Sequence, residues 1–247
     1  MTTIAPPSPT ARRLLFADEF DVPGPPDPAR WDYQLDMRHR DSDAQFTDHP
    51  ANVRVEDGQL VIEARREEAQ GRRYTSAELV TLDRFAFCYG RVEVRARLPG
   101  GRGTWPGVWL CGANIHEVSW PACGEADVVE NVGFAPERIV LAAHMPAHNH
   151  ARGNPIRCDL NVPDAWTAFH VYALEWTPDR LEWSLDGRRT FTYENPRTGS
   201  DTWPFDRPMY LTVSLVLGGS WGAKHGIDEA ALPQRICVDF VRVYAPE

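Results

Sequence analysis

The sequence is short of the features that mark many functional classes. Cysteine is scarce: Cys88, Cys111, Cys123, Cys158 and Cys237 are odd in number, widely spaced and without a C-x-x-C pair. That argues against a zinc site and a disulfide framework, and leaves small buried thiols. Positive charge is in the minority, with 26 Lys and Arg against 35 Asp and Glu and a net charge of −9. A nucleic-acid groove or an anionic membrane surface would need a basic patch, whereas a neutral substrate is easily accommodated. No run approaches the roughly 18 apolar residues of a membrane span. The opening segment, MTTIAPPSPTARR, lacks the apolar centre of a signal peptide. The expectation is a soluble chain, cytoplasmic as written and secreted if a leader has been removed. Long helices are missing too. No window keeps a 3.6-residue apolar period, and the one helix-permissive patch, residues 227–232, is short.

What is present is β-like. Twenty-one Pro and 18 Gly punctuate the chain every few residues, and 43% of it is hydrophobic, enough for an ordinary globular core. Val53 and Val55, then Leu60 and Ile62, flank Asp57-Gly58 as two alternating runs around a hairpin turn. Val92, Val94 and Ala96 alternate with charged residues, and residues 171–176 and 181–185 precede a second turn at Asp186-Gly187. Residues 209–217 and 236–244 are further strands. The pattern predicts an all-β sandwich or jelly roll. Residues 1–13 read as a flexible arm and 14–247 as a single domain. Nine Trp residues suit either a large core or platforms for the flat faces of sugar rings.

Three acids, Glu125, Asp127 and Glu130, interrupt an apolar segment that begins at Trp120. Residues two apart on a strand share a face, so Glu125 and Asp127 are neighbours, whereas Glu130 falls on the other side. One extra residue, a β-bulge at Val128-Val129, returns it to the first face. Three acids on one face repel unless a proton is shared, and Asp127 is placed to hold one against either glutamate. Glycoside cleavage needs this combination: an ionised nucleophile and a protonated acid, about 5–5.5 Å apart in retaining enzymes. A solvated acidic edge strand or a carboxylate calcium site would use the same residue types. The flanking Trp and Val-Val weigh against the first, and the strand-like spacing against the second. Spacing alone puts the hydrolase a little ahead.

These residues resemble glycoside hydrolase family 16, in its bacterial laminarinase-like branch. Gly-Glu-Ala-Asp-Val-Val-Glu (124–130) is similar to that family's E-x-D-x-x-E motif, bulged spacing included. Asp-Glu-Phe (18–20), Asn-Val-Arg-Val-Glu-Asp-Gly (52–58) and Tyr-Gly-Arg-Val-Glu-Val-Arg (89–95) resemble family segments in the family order. So do Gly-Thr-Trp-Pro-Gly-Val-Trp (103–109), Trp-Pro-Phe-Asp (203–206) and Val-Asp-Phe-Val-Arg-Val-Tyr (238–244). The resemblance implies a concanavalin-like β-jelly-roll of two antiparallel sheets with an open cleft. It makes Glu125 the nucleophile, Asp127 its assistant and Glu130 the general acid, then base. Hydrolysis would pass through a covalent glycosyl-enzyme with retention, and no cofactor takes part.

By the same resemblance Trp105, Trp109, Trp120, His144, Asn52 and Trp221 contact sugar. Each has a plainer reading beside it: Trp109 as core, His144 as a structural strand histidine, Asn52 as a turn residue. A structural calcium is implied on the face away from the cleft, at the main-chain oxygens of Glu19 and Gly58 and the side chain of Asp239. Two departures stand out: Ala126 replaces a larger aliphatic, and Ala77-Glu78 replaces a small and a basic residue. The expected activity is a monomeric endo-β-1,3-glucanase or β-1,3-1,4-glucanase acting on β-glucan, with neither nucleic acid nor membrane as partner. A transglycosylase, a hydrolase of another β-linked polysaccharide and a non-catalytic glucan-binding lectin are the alternatives on this fold.

Overall fold

Alternation in the sequence becomes alternation of faces. Between residues 90 and 97, Val92, Val94 and Ala96 are buried while Arg91, Glu93, Arg95 and Arg97 look outward, because successive side chains of a strand point to opposite sides. In a computed structural model, which describes residues 12–37 and 41–247, strands of this kind build two stacked sheets. In chain order the strands are β1 (Leu14–Asp18), β2 (Asp32–Tyr33), β3 (Ala44–Phe46), β4 (Val53–Glu56), β5 (Gln59–Ala69) and β6 (Arg72–Ser76). They continue with β7 (Glu78–Val80), β8 (Gly90–Arg97), β9 (Thr104–Gly112), β10 (Glu125–Val132), β11 (Ala135–His144) and β12 (Ile156–Asn161). The last are β13 (His170–Trp176), β14 (Arg180–Leu185), β15 (Arg188–Glu194), β16 (Met209–Leu217) and β17 (Gln234–Tyr244).

A ten-stranded sheet runs β15-β14-β13-β8-β17-β5-β6-β3, with β1 beside β17 and β4 beside β5; a seven-stranded sheet runs β12-β11-β10-β9-β16-β7-β2. The jelly-roll sandwich expected from the sequence is what the chain forms. Among the described residues, the one strand pairing that departs from antiparallel is β3 with β6. Both hairpin turns read from the sequence are present. Asp57-Gly58 has φ of 52° and 72°, and Asp186-Gly187 has 48° and 76°, the left-handed pair whose twist suits a two-residue hairpin.

The core lies between the sheets. Trp176, Trp183, Tyr172, Phe46 and Phe205 are its largest fully buried side chains, each contributing roughly 1.5–3 kcal/mol or more by leaving water. Trp31 and Trp203 are buried there as well, so part of the tryptophan excess is structural. Two short α-helices occur among the described residues, α1 (Ile115–Val118) and α2 (Gly219–Gly222). The helix-permissive patch forms a single 3-10 turn, Glu229–Ala231. No helix among the described residues is long and apolar enough to cross a membrane. The arm assigned to residues 1–13 lies, for residues 1–11, outside the described residues. Its last two residues are tied to the chain's end, Arg12 donating to Glu247 at 3.0 Å and Ala245 N to Arg13 O at 2.8 Å.

Candidate active site

β10 is paired on both sides, and its register slips on both. Asp127 faces Trp109 of β9, yet the next β9 residue, Val108, faces Val129, so Val128 is the extra residue of a bulge. Against β11 the step from Asp127 to Glu130 covers only Ala142 to Val140. Val128 and Val129 both turn into the core, and Glu130 returns to the face of Glu125 and Asp127. The Asp127 carbonyl at the slip also takes a bond from outside the sheet. Trp183, buried on β14 of the opposite sheet, donates its indole N–H to that carbonyl at 2.7 Å. A buried hydrogen bond of this kind contributes about 0.5–1.5 kcal/mol and ties the bulge to the opposite sheet.

The acids differ in surroundings. Asp127 is 1% exposed, while Glu125 and Glu130 are partly open. His144, across from Glu125 on β11, brings Nε2 to 3.2 Å from Asp127 and 3.8 Å from Glu125. The Trp105 indole donates to Glu130 Oε1 at 2.8 Å, which leaves Oε2 to carry a proton. Burial pushes the Asp127 carboxyl up to about 8. Glu130 is also pushed up to about 8, by burial first and by the neighbouring Asp127 second, against the Trp105 hydrogen bond and the His144 charge. Both shifts favour protons on Asp127 and Glu130 at neutral pH. Glu125, Asp127 and His144 also offer ligand atoms within 4.8 Å of one another. A divalent cation there would first have to displace the proton that burial keeps on Asp127.

Aromatic residues frame the acids. Trp105 meets Trp221 of α2 edge-on, ring centroids 5.3 Å apart. Trp109 lies partly exposed on the same face as Trp105, beside Gly107. A Cβ on Gly107 would come within 3.0 Å of the Trp109 ring and 3.4 Å of Glu130, so glycine lets indole and acid lie side by side. At the other end Trp120 stacks on His150 at 4.7 Å, and His150 meets His144 edge-on at 5.2 Å. The structure thus gathers Trp105, Trp109, Trp120, His144 and Trp221 around the three acids. The turn bearing Trp221 is anchored by Asp41 and Asp43, which accept from Ser220 N at 2.9 Å and Gly219 N at 3.3 Å.

Asn52 is a correction. Its side chain is fully buried, donates to Glu63 O and Thr75 Oγ1 at 2.9 Å each, and accepts from Thr47 at 2.7 Å. With its amide spent inside the fold it does not reach the acids. The corner expected to hold calcium carries ion pairs of its own. Asp239 accepts from Arg95 at 2.7 Å, and Glu19 is gripped by Arg242 through two 2.7 Å bonds. Arg95 therefore already pairs with Asp239, the one side chain that the expected calcium site would use.

Trp183, Gly107 and His150 also shape the site, and no motif in the sequence marks them. Only the sequence cluster His144, His148 and His150 gave a signal, and nothing in it said which ring faces the acids.

The family model described as Glycosyl hydrolases family 16 matches residues 40–236. The chain is 42% identical over 241 residues to a beta-glucanase of Rhodothermus marinus, covering 94% of this chain and 84% of that protein. Among solved structures, the laminarinase from Rhodothermus marinus matches with a TM-score of 0.91 at 42% identity, over 95% of this chain and 97% of that one. A mutant of SCLam, a non-specific endo-β-1,3(4)-glucanase from family GH16, matches with a TM-score of 0.92 at 37% identity over 96% of each chain. It was co-crystallised with 1,3-β-D-cellotriosyl-glucose and presents 1,3-β-D-cellobiosyl-glucose at its active site.

Proposed function

The chain belongs to the glycosyl hydrolases of family 16, and from that membership we propose that it is an endo-acting β-glucanase cutting β-1,3 or mixed β-1,3-1,4 linkages with retention. The observation that carries the reading is the bulge at Val128, which puts Glu125, Asp127 and Glu130 on one face with protons held on two of them. Glu125 attacks the anomeric carbon as a carboxylate. Glu130, oriented by Trp105, gives its proton to the departing glycosidic oxygen. The product is a covalent glycosyl-enzyme; Glu130, now ionised, takes a proton from water as the water attacks, and the configuration is retained. Asp127, protonated between them, offers a hydrogen to Glu125 as the charge on that carboxylate changes.

Both groups that the chemistry uses belong to the chain, so it calls for no cofactor. A calcium ion at the main-chain oxygens of Glu19 and Gly58 and the side chain of Asp239 would have to share Asp239 with Arg95, and the chemistry above does not use it. Residues 14–247 act as one catalytic unit, and one copy suffices since every residue invoked lies on one sheet face. A lectin is disfavoured because binding alone gains nothing from burying acids at this cost.

The test is a product profile on laminarin, lichenan, agarose and xyloglucan, with the first-formed anomer read by NMR. Oligosaccharides released from laminarin or lichenan as the β-anomer are expected. No cleavage of either, or release of the α-anomer, would refute the reading; transfer products in excess of reducing ends would make the protein a transglycosylase.

A further inference from the structure

Cys111 and Cys123 stand twelve positions apart in the chain, and the fold brings their sulfur atoms to 3.6 Å. Cys111 on β9 lies directly across from Glu125 on β10. Cys123 lies in the turn just before β10 and packs in one cluster with Cys111. They are 3% and 2% exposed, in an apolar cluster with Val80 and Tyr210 that Trp109 and Trp120 cover and that is separate from the main core. The backbones are drawn together at this point. Gly112 N donates to Gly124 O at 3.1 Å, and a Cβ on Gly112 would come within 2.1 Å of the Cys123 carbonyl oxygen. Between the two cysteines runs the loop 112–122, which holds α1 and delivers Trp120 to the site.

We propose that Cys111 and Cys123 are a disulfide-forming pair that, in oxidising surroundings, closes the loop carrying Trp120 onto the strand facing Glu125. Bonded sulfurs stand about 2.05 Å apart, so the pair needs an approach of about 1.5 Å, within reach of side-chain rotation and a small loop shift. The hydrogen bond between the thiols holds Cys123 below its ordinary range and Cys111 well above it, which makes Cys123 the attacking group. Its thiolate displaces one thiolate from a small-molecule disulfide such as oxidised glutathione, forming a mixed disulfide. The Cys111 thiolate then displaces the second. Two protein thiols are oxidised to one S–S bond, and two glutathiones leave reduced, carrying the two protons. Burial makes exchange slow in the folded chain, so closure belongs to folding or to moments when the loop opens. Cys88, Cys158 and Cys237 have no sulfur partner and remain thiols.

The test uses the whole chain. It is refolded once in oxidised and reduced glutathione and once in excess reductant, free thiols are alkylated, and the non-reduced digest is read by mass spectrometry. The expected result is a cross-linked peptide joining residues 111 and 123, lighter by two hydrogens than its parts. Its Tm should rise by about 5–10 °C over the reduced form, the scale expected for so short a loop in a domain of this size. Cys123→Ser should lose both the cross-link and the redox dependence of Tm; if that variant does not fold, wild-type protein alkylated under denaturing reduction-free conditions gives the same answer. Both cysteines found alkylated after oxidative refolding, or linked to other cysteines, would overturn the proposal. So would equal Tm values in the two buffers.

Discussion

On the ten-stranded sheet Glu63, its side chain fully buried, is held by Arg54, Arg65 and Arg235; on the seven-stranded sheet Asp127, equally buried, faces a histidine and two glutamates. Both sheets also contain a bulge. In β17 the register slips between Val238 and Phe240, and Asp239 meets Arg95. In β10 it slips at Val128 and turns Glu130 towards other acids. The backbone device is the same, and the charge it meets differs. A carboxylate beside a guanidinium stays ionised, as Glu19 shows, held below its ordinary range by hydrogen bonds from Arg242. A buried carboxyl whose neighbours are other acids takes up a proton instead. Glu63 and Glu19 serve as fasteners, Asp127 and Glu130 as proton carriers.

That contrast can be broken most severely at Glu125. Glu125→Ala should lower kcat on laminarin by something on the order of 10⁴-fold or more while leaving the melting curve almost unchanged; retained turnover would remove it as nucleophile. Asp127→Asn comes next and acts on stability. A carboxyl whose pKa is raised by folding favours the folded state while protonated, so its contribution is full below the ordinary carboxylate range and is lost as pH climbs to about 8. The variant should match wild type in acid and be more stable by a few kcal/mol under alkaline conditions. Parallel pH profiles would show Asp127 to be ionised in the fold. The smallest effect belongs to the other sheet: Arg95→Ala breaks a partly exposed pair and should cost no more than about 1 kcal/mol, with turnover unaffected. A large loss of activity there would tie that sheet to the chemistry.

Much of this was legible before any coordinates. Asp57-Gly58 and Asp186-Gly187 mark turns because their backbone conformation is local, and the alternation at 92–96 marks a strand because burial follows the pleat. The bulge was legible for the same reason: spacings of two and then three around apolar residues leave few ways to put three acids on one face. What was hidden depends on contacts far apart in sequence. Asn52 precedes a strand and looks free to reach a ligand, but Glu63 O and Thr75, brought up by β5 and β6, consume its amide. Asp239 reads as a cation ligand until Arg95 of β8 is seen opposite. Cys111 and Cys123 read as isolated thiols until β9 and β10 are set in register, and Trp183 gives no sign that its N–H crosses the sandwich.

The most direct measurement of the proton stored on the bulged strand is kcat/KM on laminarin against pH, for wild type and Glu130→Gln. Wild type should lose activity as pH rises through about 8, because the general acid is then ionised before substrate arrives. Glu130→Gln should be slower by roughly 10²–10⁴-fold and lack that alkaline limb. A limb unchanged in the variant would contradict the assignment of Glu130 as the acid.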